Sequence, residues 1–164
     1  MITLRSYLGA HPGHRRGQLM EREAVMLIVC AGRRAGFTVK TEISVPTKNR
    51  NGLPVRGEID VGWYAAGRLA AVWEIDGQDA GEAHFRGHPK KGTAGNTAKF
   101  SAADAPFKVQ VLYSLKNNLD AKGPSKHVSI QHWLDGVAFL VTDEELMNTQ
   151  GIEAWTEKIG ARVR

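Results

Sequence analysis

The chain has 164 residues, close to the usual length of one domain, and 42% of them are hydrophobic, which is enough for a core. No apolar run approaches the roughly 20 residues of a membrane helix, and the start lacks the apolar stretch of a signal peptide, so we expect a single domain over residues 1–164 in the cytoplasm. The net charge of +5 favours a polyanionic partner.

The first part of the chain predicts a helix followed by a strand. Apolar residues recur at three-four spacing over residues 17–36, as in an amphipathic helix, and a glycine ends the pattern. Cys30, the one cysteine, lies in the apolar run AVMLIVC and is predicted to be buried; a disulfide framework within the chain is excluded. Alternation over residues 37–43 predicts a strand, and residues 46–54 predict a loop.

A β-hairpin is the next predicted element. The strand GEIDVGWY enters the turn AAGR, and LAAVWEID leaves it. With Tyr64 paired to Leu69 across the turn, Asp60 falls opposite Trp73, about one residue from Glu74. A second aspartate shares the strand face of Glu74, because side chains two residues apart point the same way. Three carboxylates therefore converge at one end of the hairpin.

The second half of the chain continues the alternation of strands and helices. The expected elements are a glycine- and histidine-rich basic loop at 77–95, a short helix at 95–104, a strand in FKVQVLYSL, a polar connection at 116–127, a strand at 137–142, and helices at 143–149 and 151–160. The stretch just before residue 137 fits a helix or a strand. Asp143 is expected to cap the helix that it begins. This order predicts an α/β fold with a mixed sheet flanked by helices.

Charge is distributed unevenly along the chain. Residues 1–20 and 83–103 contain no acidic residue, whereas acids collect around the hairpin. Basic flanks around a compact acidic cluster suit a protein that holds a phosphate backbone against metal ions. The residues expected to contact phosphates are Arg15, Arg16, Arg86, Lys90 and Lys91.

The acidic cluster suggests a magnesium site. Mg²⁺ takes hard oxygen ligands, usually one or two carboxylates with water and substrate phosphate oxygens, and Asp60 and Glu74 supply such a pair. Neighbouring carboxylates are costly without a cation, because each raises the pKa of the other. The alternative is a solvated strand end whose acids pair with Arg56, Arg68 or Lys40.

The ordered set of motifs resembles the PD-(D/E)XK superfamily of restriction-endonuclease-like nucleases. The segment RGQLMERE at 16–23, before its helix, is similar to the N-terminal segment of archaeal Holliday-junction resolvases. GEIDV at 57–61 resembles the aspartate strand of the superfamily, and VWEID at 72–76 resembles its second acidic strand. The element EIDG at 74–77 also resembles the very-short-patch-repair-like branch, in which a histidine soon follows.

The resemblance implies a role for each matching residue. Asp60 and Glu74 would be ligands of Mg²⁺ or Mn²⁺, and Glu21 would be the helical glutamate that orients a metal-bound water. Glu23 is the reserve candidate for that role, and Glu58 is a possible supporting residue. The implied fold is a restriction-endonuclease-like core.

The sequence departs from the superfamily pattern at one position. The expected lysine would stand two residues after Glu74, where this chain has Asp76. Three hypotheses remain open: Lys99 on the following helix replaces the lysine, Asp76 is a further metal ligand, or the site is degenerate and binds DNA without cutting it.

We therefore expect a magnesium-dependent endodeoxyribonuclease, with Glu21, Asp60, Glu74, Asp76 and Lys99 as catalytic residues. A restriction-type enzyme that cuts duplex DNA as a homodimer is favoured. A Holliday-junction resolvase or a repair nuclease of the same fold is the alternative. A catalytically silent DNA-binding module and a structural protein with ordinary surface acids are the hypotheses from other classes, and RNA as substrate also stays open.

Overall fold

The computed structural model describes residues 13–77, 80–113, 123–147 and 151–163, and it describes side chains in these ranges except at 13–20, 123–127, 144 and 147. In these ranges the chain forms an α/β fold: a mixed five-stranded sheet in the order β1-β2-β3-β4-β5 with helices packed around it. The elements are α1 (Gly13–Arg34), β1 (Thr38–Lys48), β2 (Pro54–Ala65), β3 (Arg68–Gly77), α2 (Glu82–Arg86), α3 (Asn96–Ala102), β4 (Phe107–Tyr113), α4 (Gly123–Leu134), β5 (Phe139–Thr142), α5 (Asp143–Met147) and α6 (Gly151–Val163). The predicted fold class, α/β with a mixed sheet, is confirmed.

The predicted hairpin forms, but its register differs from the prediction. Ala66 and Gly67 have positive φ angles of 50° and 77°, as a two-residue hairpin turn requires. The register shifts at a bulge between Trp63 and Tyr64, so that Trp73 pairs with Val61 and not with Asp60. The expected pairing of Asp60 with Trp73 is therefore wrong by one residue. The bulge brings Asp60 level with the next residue of β3, which is Glu74.

Strand β1 is longer than predicted and includes part of the expected loop at 46–54. It runs to Lys48, and Pro46 pairs with Arg56 of β2. β1 lies at the edge of the sheet, where a proline is tolerated because only one side of the strand needs ladder hydrogen bonds.

The sheet separates two hydrophobic cores. On one side, α1 and α6 pack against side chains such as Trp63 and Trp73, which are both fully buried. On the other side, α2, α3 and α4 cover Val72 and Leu112. The prediction that Cys30 is buried is wrong, because it lies four residues after the exposed Met26 on the outward face of α1.

Among the described residues after β3, helix α2 was not predicted from the sequence. α2 lies inside the expected loop at 77–95, with Phe85 fully buried and stacked 5.9 Å from Trp133. The cap of α5 is also reassigned: Thr142 Oγ1 accepts the N–H of Glu145, whose carboxylate accepts the N–H of Thr142. This reciprocal capping box makes Thr142, rather than the predicted Asp143, the N-cap. In the ranges that the structure describes, no helix is long and apolar enough to cross a membrane.

Candidate active site

The predicted acids meet at one end of the sheet, where the ladder between β2 and β3 stops. The last backbone pair is Val61 with Trp73. Beyond it, the Asp60 carboxylate accepts the backbone N–H of Ile75 at 2.8 Å. The Asp60 side chain thus takes the place of the next backbone hydrogen bond between β2 and β3, and this bond holds Asp60 against β3, beside Glu74.

Glu74 is the most deeply buried acid of the site, with 3% of its surface exposed, and it forms an ion pair with Lys99. Burial raises the pKa of Glu74 to about 9; the Lys99 ammonium opposes the shift, and the Asp60 carboxylate adds to it. A hydrogen bond between the carboxyl groups of Asp60 and Glu74 also raises the pKa of Glu74. Glu74 therefore holds a proton more strongly than an ordinary glutamate, while the Lys99 ammonium beside it favours the ionised form.

Lys99 reaches Glu74 from α3, which packs on the same face of the sheet as α2 and α4. Its Nζ also donates to the backbone carbonyl of Glu58 at 3.0 Å. The stem of the lysine crosses β2 above Gly57, where an added Cβ would come within 2.6 Å of Lys99 Cγ. Thr47 Oγ1 donates to the Ala98 carbonyl at 2.9 Å and ties α3 to β1. The Lys99 ammonium group is therefore placed in the site by two features: Gly57 leaves room for the lysine stem, and the hydrogen bond from Thr47 holds α3 against β1.

Asp76 lies two residues after Glu74 and has a different set of partners. Its Oδ1 contacts Nε2 of His84 at 2.5 Å, and its Oδ2 accepts amide N–H groups of Asn96 at 2.7 Å and Gln110 at 2.8 Å. Burial raises the pKa of Asp76, but the hydrogen bond and charge of His84, with the two amide hydrogen bonds, outweigh it and lower the pKa below 3.8. In turn, the hydrogen bond to Asp76 raises the pKa of His84 against the opposing effect of burial.

Asn96 and Gln110 are site residues that the sequence analysis missed. Both are buried, with 1% and 0% of their surface exposed, and Asn96 Nδ2 also donates to the Gln110 side-chain oxygen at 2.9 Å. Gln110 Nε2 lies 3.3 Å from the backbone carbonyl of Glu74 as well. One signal was available in the sequence: Gln110 is a polar residue at the centre of the apolar strand FKVQVLYSL.

The remaining predicted acids lie around this centre. Glu21 accepts a hydrogen bond from the Tyr113 hydroxyl at 3.5 Å. Burial, together with the negative charges of Asp60 and Asp76, raises the pKa of Glu21. This helical carboxylate is therefore close enough for the charges of both aspartates to act on it. Burial also raises the pKa of Glu23, but neither aspartate contributes to that shift.

The side chains of some predicted DNA-contacting residues are described by the structure, and those of others are not. Arg15 and Arg16 belong to α1, but their side chains lie outside the described part of the structure. Arg86 pairs with Glu82 one turn earlier on α2, at 3.1 Å. Lys90 and Lys91 are exposed in the turn that follows.

The oxygen donors of the site fit a hard divalent cation held by a pair of carboxylates. Mg²⁺ binds one or two protein carboxylates and keeps water and phosphate oxygens in its other positions, and Asp60 and Glu74 are such a pair. Asp76 already accepts three donors, which leaves one lone-pair position of a carboxylate's four. Over the described residues, no three His, Cys, Asp or Glu side chains are grouped to hold a metal ion. The first candidates are therefore the pair, and Asp76 could add a ligand only through its remaining lone-pair position.

Comparisons of the chain with protein-family models, with curated proteins and with solved structures found no match.

Proposed function

We propose that this protein is a metal-dependent DNA endonuclease with a restriction-endonuclease-like core, which hydrolyses phosphodiester bonds in duplex DNA. The observation that carries the proposal is the convergence of Asp60, Glu74 and Lys99 at one end of the sheet. Two adjacent carboxylates with a lysine are the groups that phosphodiester hydrolysis uses to hold a metal and to place positive charge beside the reacting water and phosphate.

The lysine requirement is met here by Lys99 from α3 rather than by the position two residues after Glu74. The Lys99 ammonium lies against Glu74, and 14% of the lysine side chain is exposed. In this assignment, Lys99 orients the attacking water and stabilises the negative charge that develops on the phosphate. In the same assignment, Glu21 orients water from helix α1.

Asp76 and His84 form the second part of the proposed machinery. Asp76 stays ionised and holds the imidazole of His84, whose side chain is 47% exposed. A half-exposed imidazole with a raised pKa can carry a proton to the leaving sugar oxygen as the phosphorus–oxygen bond breaks. In this role, Asp76 is a positioning residue.

Asp60 and Glu74 would hold Mg²⁺ or Mn²⁺, with Asp76 as a further candidate ligand; when bound, the metal polarises the phosphate and lowers the pKa of a water. Binding requires Glu74 to release its proton. A homodimer that cuts both strands and a cytoplasmic location belong to the same proposal.

The test is cleavage of a supercoiled plasmid and of a four-way junction, each with Mg²⁺, with Mn²⁺ and with EDTA. We expect metal-dependent nicking or linearisation of the plasmid, and loss of cleavage by roughly 10³-fold or more in Asp60→Asn, the scale seen when a key catalytic group is removed. Asp104→Asn, an exposed aspartate in the α3–β4 loop, is the matched control and should cut like the unmodified protein.

Three results would redirect the proposal. Cutting of the junction alone would make the protein a resolvase. Cutting that survives both EDTA and Asp60→Asn would place the chemistry elsewhere. Salt-sensitive DNA binding without cleavage in either metal would support the silent binding module.

A further inference from the structure

Two loops beside the carboxylates are joined by side-chain hydrogen bonds. We name them together the two-loop surface, defined as residues 49–53 between β1 and β2 and residues 87–95 between α2 and α3. Asn51 Nδ2 donates to the Pro89 carbonyl at 3.3 Å, and Asn49 Nδ2 donates to the Gly92 carbonyl at 3.5 Å. The two loops are therefore one packed unit rather than two independent connections.

Each loop is also closed internally. Asn49 is buried, and its Oδ1 accepts the backbone N–H groups of Asn51 at 3.0 Å and Leu53 at 2.9 Å, which closes the first turn. The second loop is closed where Gly95 meets Gly87: a Cβ on Gly95 would come within 2.3 Å of the Gly87 nitrogen. A fixed backbone lowers the entropy that a ligand must remove on binding.

The two-loop surface and the adjacent end of α2 carry an excess of positive charge. Glu82 is shared by two arginines, with its carboxylate 3.1 Å from Arg86 and 3.7 Å from Arg50. One carboxylate cannot neutralise two guanidinium groups, and Arg50 is also held by the Gly87 carbonyl at 3.4 Å. In the described ranges, the exposed Lys90 and Lys91 take part in no ion pair.

This surface is continuous with the candidate active site. His84, which contacts Asp76, belongs to the same short helix as Glu82 and Arg86. At the other end of the second loop, α3 begins at Asn96, which also donates to Asp76. The two-loop surface is therefore joined through α2 and α3 to the side chains that hold Asp76.

We propose that the two-loop surface binds the phosphate backbone of DNA that lies across the carboxylate cluster, with Arg50, Lys90 and Lys91 as phosphate contacts. The inference rests on the proposed function, since it locates the same substrate, and it adds the β1–β2 turn and Arg50 to the binding surface. Because contacts with phosphates carry no sequence information, this surface sets the position of DNA and not the sequence that is recognised.

The test measures how binding of a DNA duplex depends on salt, with a fluorescent duplex, EDTA present and NaCl varied. The charge-removal variant is Arg50→Gln/Lys90→Gln/Lys91→Gln. Each lost phosphate contact lowers the slope of log K against log salt by about 0.9 for duplex DNA, so the slope should fall by about 3. Affinity at 0.1 M salt should fall by roughly tenfold per lost contact.

A second triple variant removes the same charge elsewhere. Its substitutions lie at the far end of the hairpin, on β4 and on the last helix: Arg68→Gln, Lys108→Gln and Arg162→Gln. It should keep the slope within about 1 of the unmodified protein, as expected if these side chains touch no phosphate. Far-UV circular dichroism and thermal melting of both variants check that they are folded.

The outcomes separate this inference from the proposed function. Equal loss of slope in the two triple variants, absence of duplex binding, or equally tight binding of poly-glutamate through the same side chains would overturn the inference. Cleavage by a protein whose slope is unchanged in the loop variant would overturn the inference alone. A loop-dependent slope in a protein that never cuts would overturn the proposed function alone.

Discussion

Glu74 and Asp76 lie on the same face of one strand, yet their surroundings shift the pKa values of the two carboxyl groups in opposite directions. Both carboxyl groups are largely removed from solvent, with 3% and 14% of their side chains exposed. Burial raises the pKa of Glu74 to about 9; the Lys99 ammonium opposes this rise, and the Asp60 carboxylate adds to it. Asp76 has an imidazole and two amides, and its pKa falls.

The contrast shows that burial alone does not decide which carboxylate is ionised. Burial favours the neutral form of both groups, whereas three hydrogen-bond donors reverse its effect at Asp76. Two titratable groups with opposite shifts are the usual arrangement in sites that separate acid from base roles. In the proposed mechanism, Asp76 holds His84, and Glu74 gives up its proton when it binds a cation.

Among the changes that test this contrast, the largest expected effect comes from removing the cation beside Glu74. Lys99→Met should lower plasmid cleavage by about 10²-fold or more, because one electrostatic contact to the developing charge is lost. Lys108→Met, on β4 away from the site, should cleave within about twofold of the unmodified protein. Equal rates for the two variants would remove Lys99 from the mechanism and favour the hypothesis that Asp76 is a further metal ligand.

The next effect concerns the amides that keep Asp76 ionised. Gln110→Leu removes a buried donor to Asp76, so the free energy of unfolding should fall by about 2 kcal/mol, the usual cost of a buried polar group that loses its partner. Urea denaturation at pH 7 measures this change. Lys108→Leu on the same strand should stay within about 0.5 kcal/mol. A neutral result for Gln110→Leu would mean that the amide does not stabilise the charge.

The pH dependence of stability tests Glu74 directly. The pKa of Glu74 in the folded protein, about 9, lies above the ordinary value of 4.5. The contribution of protonated Glu74 to the free energy of unfolding is therefore complete below pH 4.5 and is lost as the pH rises to about 9. Without metal, Tm should fall between pH 5 and pH 9 by at least about 3 °C more in the unmodified protein than in Glu74→Gln, which mimics the neutral acid. Glu153→Gln, exposed on α6, should follow the unmodified protein, and identical curves for Glu74→Gln would contradict the raised pKa.

The smallest expected effect belongs to His84. Its raised pKa means that its stabilising charge is present below pH 6.5 and is lost as the pH rises through the raised value. His84→Asn should therefore cost about 0.5–1 kcal/mol at pH 5.5, the size of a largely solvated ion pair, and less at pH 8.5. A cost that grows with pH would contradict the ion pair with Asp76.

Much of the hairpin could be predicted from sequence, because alternation and a two-residue turn are local signals. The bulge between Trp63 and Tyr64 leaves no such signal, so the predicted register was off by one residue. Similarly, α2 was missed because Gly87 and Pro89 argue against a helix, whereas the burial of Phe85 against α4 stabilises it.

The acids were predictable from sequence, but their partners were not. Asp60, Glu74 and Asp76 share one short hairpin, so local spacing is enough to group them. Asn96 and Gln110 meet Asp76 only through the parallel pairing of β3 with β4 and the placement of α3 over it. Contacts between distant segments depend on the assembled sheet, which no local pattern in one sequence reveals.

The most direct test of the account is calorimetric titration of Mg²⁺ into the metal-free protein at pH 7.5, in two buffers with different ionisation enthalpies. We expect Mg²⁺ to bind, with release of close to one proton because Glu74 must lose its proton to act as a ligand. Proton release should disappear in Glu74→Gln, and binding should be lost in Asp60→Asn. Absence of Mg²⁺ binding by the unmodified protein, or equal binding by Asp60→Asn, would contradict a metal site at this pair of carboxylates.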